Sequence, residues 1–395
     1  MMAQFSARTN WDLRATPYAA ALARLYSRGV EFFDLTASNP TACRFEYDTA
    51  GILRALSQPE SLQYEPNPRG LSIARQAVAR HYAQTAGAQV DPENIFLTTS
   101  TSEAYSYLFR LHCDPGSEIL IAQPSYPLFE FLADLDDVRL VPYPLFYDHG
   151  WHLDVAALQA RITPRTRGIV VVHPNNPTGH FTSVNERRAI EQVCETHTLA
   201  LIVDEVFLDY ALGAAAHGPA RGSFAHGDHP ALTYVLSGLS KIAGLPQMKA
   251  AWIASFGPEP LLHEANARLE VVADTFLSMN APVQHALPYL LANRRNIQQQ
   301  ILARVEKNLA ALDARLANAP ALSRLHVEGG WYAVLRVPAL MSGEQLAIRL
   351  MENQQVVIHP GYFYGFEGDG WIVLSLLTTS EAFAEGIDRV VQSFT

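Results

Sequence analysis

Cysteine is scarce in this chain: 395 residues hold three, Cys43, Cys113 and Cys194. An odd number at such wide spacing supports neither a disulfide framework nor a CxxC metal site, and fits a reducing compartment. Basic runs are missing too, and 29 Lys and Arg against 39 Asp and Glu leave a formal net charge of −10. An acidic chain without a basic tract is poorly suited to nucleic acid or to an anionic membrane. No apolar stretch approaches the roughly 20 residues that a bilayer span requires. The opening residues MMAQFSARTNWDLRATPYAAAL lack the cationic start and apolar stretch of a secretory leader. A soluble, cytoplasmic protein is expected. Glycine strings of the GxGxxG and GxxxxGK[ST] kinds are absent, which argues against those nucleotide sites. What the chain does have is apolar material. Hydrophobic residues make up 49% and charged residues 17%, which excludes disorder and suits a large core. At about 150 residues per domain, the length suits two to three domains.

Residues 91–256 alternate short apolar runs with helical stretches. The runs cover residues 95–98, 118–121, 168–172, 201–204, 233–236 and 250–253, and most lack polar alternation. Strands buried on both faces read this way. Helical patterns lie between them, at 103–111 with Asp114-Pro115-Gly116 as a stop, and at 185–197. Strands alternating with helices predict βαβ units and a mainly parallel sheet. Beyond residue 257 the pattern changes. Leu302, Val305, Leu309 and Leu312 are part of a pattern that predicts one long amphipathic helix over 282–316. Strand-like pieces at 331–337, 355–358 and 371–376 follow, then a helix from Glu381. The expected organisation is an N-terminal segment (1–50) packing with a small C-terminal α+β domain (286–395), and a large domain between (51–285).

Parallel sheets bind ligands at the carboxyl ends of their strands, so the polar residues after each run are the candidates. Thr98, Thr99, Ser100, Thr101 and Ser102 precede a helix. Hydroxyls beside free helix N–H groups make a phosphate cradle, and the same residues also make an ordinary helix cap. His173-Pro174-Asn175-Asn176-Pro177-Thr178-Gly179 follows Val172; it is a rigid turn on which an asparagine amide can donate to a ligand oxygen. Asp204-Glu205 closes another run, and a buried carboxylate needs a partner, either a protein arginine or a protonated cofactor ring nitrogen. Lys241 follows Ser237-Gly238-Leu239-Ser240. Most lysines are surface charges, but a desolvated one has a lowered pKa and a free amine able to form a Schiff base.

Together with Tyr64, Pro68-Arg69-Gly70, Pro124-Ser125-Tyr126-Pro127, Gly329-Gly330-Trp331 and Pro360-Gly361, these segments resemble the aspartate aminotransferase superfamily. These are the fold type I, class I/II enzymes that use pyridoxal 5′-phosphate, and the resemblance spans nearly the whole chain. It implies an α/β fold, a large domain with a mainly parallel mixed sheet flanked by helices, plus a smaller α+β domain. It implies that Lys241 is the Schiff-base lysine and proton shuttle, and that Asp204 pairs with the pyridinium nitrogen. By the same likeness Asn176 donates to the phenolic oxygen and Tyr126 stacks on the ring. Ser100, Thr101 and Ser102, with Ser237 or Ser240, hold the phosphate. Tyr64 reaches it from a neighbouring subunit, which implies a homodimer with shared active sites. Asn39 and Trp331 fall on the substrate side. The implied reaction carries an amino group from a donor to an oxo acceptor through the lysine aldimine and pyridoxamine phosphate. No metal, nucleic acid or membrane partner is implied.

Three positions depart from the family pattern. Lys249 stands where an arginine grips the phosphate, giving charge without a bidentate fork. Phe207 replaces a tyrosine that shares the phenolic oxygen, which predicts a raised pKa for the lysine–cofactor adduct. Val373 stands where an arginine clamps the substrate α-carboxylate. Arg336, Lys249, Arg69 and His359 are candidates to replace that cation. Tyr126, Trp331, Tyr332, Tyr362, Phe363 and Tyr364 favour a substrate with an apolar or aromatic side chain over a dicarboxylate. These changes leave open elimination, cyclisation or oxidation on the same scaffold. A non-catalytic pyridoxal phosphate-binding protein is a further alternative, against which Lys241, Asp204 and Asn176 stand.

Overall fold

The structure, a computed structural model, describes residues 5–218 and 222–394. Its centre is an eight-stranded sheet. In spatial order the strands are Ile95–Thr98, Ala251–Phe256, Thr233–Gly238, Ala200–Asp204, Thr166–Val172, Glu118–Gln123, Arg139–Tyr147 and Trp151–Leu153. Only Ala251–Phe256 and Trp151–Leu153 run against their neighbours; the other pairings are parallel. Side chains alternate across a strand, and here each alternate set feeds its own core. Leu97, Leu120, Val171, Leu201, Val203 and Val235 pack on one face. Phe96, Ile121, Val170, Ile202 and Leu236 pack on the other. Burial of each such side chain is worth roughly 1.5–3 kcal/mol, and truncating fully buried Ile202 to alanine costs roughly 2–5 kcal/mol.

All six apolar runs read from the sequence are strands of this sheet. The two left unread are informative. Arg139–Tyr147 carries Pro142 and Pro144 and is largely exposed. Proline donates no ladder bond and normally signals an edge. Residues 139–144 of this strand pair with Glu118–Gln123 on one side only, and Trp151–Leu153 pairs with its last three residues.

Helix starts follow local chemistry. Ser100 caps Thr101–His112 by accepting from the Glu103 amide, and Ser183 with Glu186 forms a capping box at Val184–His197. The expectation of one helix over 282–316 is corrected. Two helices, Ala281–Ala292 and Arg294–Leu316, meet at Asn293. Its amide and its side chain both donate to the Tyr289 carbonyl, at 3.1 and 2.9 Å, and its backbone (φ −99°, ψ 7°) leaves the helix. Apolar spacing alone carries across such a break because both helices bury a face. A further helix, Glu259–Phe276, precedes them.

A smaller antiparallel sheet orders Ser323–Arg324, Tyr332–Arg336, Trp371–Ser375 and His359–Pro360. N-terminal residues join this part of the chain: Phe33–Asp34 pairs in parallel with Val356–Val357. The helix Pro17–Ser27 packs on Gly343–Gln354, and the Tyr18 hydroxyl donates to the Ile358 carbonyl at 3.0 Å. Among the described residues no helix is long and apolar enough to cross a membrane, and no cluster of His, Cys, Asp and Glu is arranged to hold a metal. The three cysteines are free.

Candidate active site

The site grows from the carboxyl ends of adjacent parallel strands. Asp204 ends its strand in register with Val172 on one side and Leu236 on the other. The asparagine turn leaves from Val172, and the short helix Leu239–Ile242, carrying Lys241, follows the strand that contains Leu236. Carboxylate, amide turn and amine are therefore neighbours by topology, although far apart in sequence.

Asp204 is buried and held by two donors. Its Oδ1 accepts from the Val206 amide at 3.0 Å, and its Oδ2 from the Tyr105 hydroxyl at 3.2 Å. Burial pushes the carboxyl up to about 6, with those two donors and Lys241 opposing the rise. Burial likewise pulls the Lys241 amine down to about 8, against the pull of Asp204. The Lys241 Nζ lies 4.7 Å from the Trp331 ring centre and 5.4 Å from that of Phe207. Phe207 meets Trp331 edge to face at 5.2 Å, and Tyr210 meets Trp331 at 5.1 Å. The Tyr210 hydroxyl donates to the Lys241 carbonyl at 2.6 Å, fixing the lysine's short helix. Lys241 is half-buried by exposure, and an amine beside two rings with its pKa lowered toward 8 offers a useful fraction of free nucleophile near neutral pH.

Several polar atoms around these strand ends are buried without a protein partner: Ser125 Oγ, Asn175 Nδ2, Asn176 Oδ1 and Ser237 Oγ. An unpaired buried polar group costs about 1–3 kcal/mol, so such a set marks a place for a polar ligand. A carboxylate for a ring nitrogen, an amine for an aldehyde, and hydroxyls with a helix N-terminus for a phosphate are the donor set that pyridoxal phosphate needs. The residues fit that group.

The remaining expected site residues distribute as follows. Ser100 is committed as the helix cap, so the ordinary reading of that hydroxyl holds; Thr101 and Ser102 form the half-buried first turn. Ser240 is half-buried beside Lys241. Tyr126 is 39% exposed, its ring edge-on to Phe129 at 6.0 Å. Three are on the surface of the described chain. Tyr64 is 81% exposed. Asn39 turns its carboxamide oxygen back to the Thr41 amide and hydroxyl at 3.1 and 2.8 Å. Lys249 is exposed and ends the short turn Pro246–Met248 with a left-handed backbone, φ 50°.

The candidate replacement cations are engaged elsewhere. Arg69 pairs with Glu270 at 2.6 Å. Arg336 lies over Trp371 at 4.3 Å and donates to the Asp369 carbonyl. His359 faces Val373 across the small sheet and bonds the Tyr364 hydroxyl through Nδ1 at 3.0 Å. Burial pulls that imidazole down to about 4, so it is neutral at pH 7.

A second polar cluster ties the asparagine turn to the Trp331 loop. His180 is buried with Nε2 3.2 Å from Glu186 and Nδ1 3.4 Å from Glu328. These nitrogens are close enough for ion pairing but poorly aligned for hydrogen bonds. Burial alone lowers the imidazole pKa, yet the two carboxylates outweigh it and raise it to about 9. The Phe181 amide donates to Glu328 at 3.0 Å. Gly179 has φ 71°, and a Cβ there would lie 2.5 Å from the Gly329 carbonyl oxygen; only glycine allows this approach.

Tyr105 and Tyr210 were not among the residues singled out from the sequence. Each is a buried aromatic on an apolar face, and nothing in its spacing reveals a hydroxyl partner 99 or 31 residues away.

A half-buried lysine and a buried carboxylate at neighbouring strand ends of a doubly covered α/β sheet are the arrangement that a group-transfer enzyme of the aminotransferase type needs. The family profile "Aminotransferase class I and II" matches residues 43–390, and the chain belongs to that family, whose members transfer amino groups with pyridoxal phosphate. Curated relatives include an alanine aminotransferase from Mycobacterium tuberculosis, 28% identical over 377 residues, covering 93% of this chain and 86% of that protein. The glutamate-pyruvate aminotransferase AlaA of Escherichia coli is 28% identical over 291 residues, covering 74% and 71%. Among solved structures, an alanine aminotransferase from Pyrococcus furiosus superposes with TM-score 0.88 at 21% identity, over 99% of both chains. A mutant aspartate aminotransferase from Thermus thermophilus gives 0.84 at 23% identity, over 99% and 100%. The chain is an aminotransferase, with the α/β architecture expected from its sequence.

Proposed function

We propose that this enzyme binds pyridoxal 5′-phosphate between Lys241 and Asp204 and transfers amino groups from an amino acid to a small 2-oxo acid. The observation that carries the reading is a desolvated lysine beside a desolvated carboxylate, with Asn176 and Ser237 left unpartnered around them. Asp204 holds a proton on the ring nitrogen, and Lys241 Nζ anchors the cofactor. Asn176 serves the phenolic oxygen, while the amides of the Thr101–His112 helix start, with Thr101, Ser102, Ser237 and Ser240, take the phosphate. Tyr126 covers a ring face, and Lys249 supplies positive charge. When bound, pyridoxal phosphate supplies an electron-withdrawing ring that stabilises the carbanion formed when substrate loses its Cα proton. Once displaced by the substrate amine, Lys241 Nζ would be the group that takes up and hands back that proton. The Phe207 and Trp331 rings beside the amine reduce its contact with water, and burial lowers its pKa to about 8, so a larger share is free amine near neutral pH than for an ordinary lysine.

Exposed Leu62 (92%) and Tyr64 (81%) support a homodimer in which Tyr64 reaches the partner's phosphate. Free cysteines support a cytoplasmic setting. The pairing of Phe33–Asp34 with Val356–Val357 supports a small domain built from residues 1–50 and 286–395. The relatives' names, with Val334 and the neutral His359 opposite buried Val373, favour alanine as donor and pyruvate as acceptor. Adding alanine without acceptor to the holoenzyme, then pyruvate, tests this by visible absorbance. The cofactor band should disappear with donor and return with acceptor. A band that alanine leaves unchanged refutes the proposed donor.

A further inference from the structure

A buried carboxylate that must stay ionised requires donors on both oxygens, and Asp204 has them from two different elements. The Val206 amide, two residues along the chain, serves Oδ1. The Tyr105 hydroxyl, from the second turn of the Thr101–His112 helix, serves Oδ2 at 3.2 Å. A carboxylate offers about four lone-pair positions. Two donors on opposite oxygens fix its rotation and leave one lone pair on each oxygen for a ligand.

Tyr105 is suited to donate and to nothing else. It is 2% exposed. Burial, with Asp204 adding to it, raises the phenol well above its ordinary pKa, so its proton stays on the oxygen. Its ring stands edge-on to Phe129 at 4.9 Å with an 89° interplanar angle. Phe129 in turn stands edge-on to Tyr126 at 6.0 Å. One phenylalanine thus seats both the hydroxyl behind the carboxylate and the ring placed over the cofactor.

We propose that Tyr105 is a positioning residue that, through its hydrogen bond, makes Asp204 a weaker base, so that the proton between Asp204 and the cofactor ring nitrogen resides on nitrogen. This rests on the reading that pyridoxal phosphate occupies the site. A hydrogen bond to a carboxylate stabilises its ionised form. Without the bond, the carboxylate in its desolvated pocket competes for the shared proton, and the ring loses part of its electron-withdrawing power.

The test reconstitutes the apoprotein with pyridoxal phosphate labelled with 15N in the ring and reads the nitrogen chemical shift beside the cofactor Kd. Wild-type enzyme should show a pyridinium shift. Tyr105→Phe keeps the edge-on packing and removes only the hydroxyl; its nitrogen should move toward neutral pyridine and its Kd should rise about tenfold. Fluorotyrosine placed at position 105, a stronger donor of nearly equal size, should move the nitrogen the other way; it also decides the matter if the phenylalanine variant does not fold. An unchanged nitrogen shift in the folded variants overturns the proposal, even if their melting temperature falls, since that is what mere packing would do. Wild-type apoprotein that binds no pyridoxal phosphate overturns the cofactor reading itself, a distinct failure.

Discussion

The Lys241 ammonium lies 4.7 Å from the centre of the Trp331 ring, with the Phe207 ring 5.4 Å away on its other contact. A ring face attracts a cation, yet the same rings strip water from it. Desolvation wins, because the amine is pulled down to about 8. The rate at which apoprotein captures pyridoxal phosphate should therefore rise with pH and level off above about 8. In Trp331→Leu, water reaches the amine and the midpoint should move upward, toward that of an ordinary lysine. Stopped-flow absorbance across pH measures both; a midpoint that falls in the variant contradicts this account.

Asp204 makes the apoprotein's stability depend on pH with a defined sign. Its folded value, about 6, lies above the ordinary 3.8. The native state therefore binds more protons than the unfolded chain in this window, and stability falls as pH rises from about 4 to 6. The shift of about two units corresponds to roughly 3 kcal/mol. Glu205 adds the same trend up to about 7, but it is present in both proteins compared. Apo Asp204→Asn should match wild type near pH 4 and exceed its melting temperature at pH 8, while binding cofactor poorly. Calorimetry of the two apoproteins across pH checks this, and a variant less stable at every pH would contradict it.

His180 carries a dependence of the same sign in a higher pH window. Its folded pKa, about 9, exceeds the ordinary 6.5, while Glu186 is held down to about 2 and stays ionised. The stabilisation is complete below about 6.5 and disappears as pH climbs through 9. His180→Gln leaves two half-buried carboxylates facing each other and should cost about 3 kcal/mol at pH 6, with the deficit shrinking toward pH 9. Denaturant unfolding at both pH values measures it. A deficit independent of pH would mean that the imidazole acts only by filling space.

Much of this site was legible because parallel-sheet chemistry leaves local marks. The apolar runs ending at Thr98, Val172 and Asp204 are strands whose last or following residues are the candidate functional ones. The break at Asn293 was not legible, because one asparagine leaving the helix does not disturb the apolar spacing around it. The strand with Pro142 and Pro144 was hidden because proline argues against a ladder that in fact forms on one side. Tyr105 was invisible for another reason. A tyrosine on a buried helix face looks the same whether its hydroxyl meets a carboxylate or a backbone carbonyl, and only the fold brings Asp204 to it. The surface positions of Lys249, Tyr64 and Asn39 likewise depend on tertiary arrangement rather than on motif spacing.

The most direct measurement is borohydride reduction of the holoenzyme followed by peptide mapping. Reduction should attach the pyridoxyl group to Lys241 alone. Lys241→Ala should carry no reducible label, and its transamination should fall by about 10²–10⁴. Label recovered on another lysine, or full turnover in the alanine variant, would contradict the account at its root.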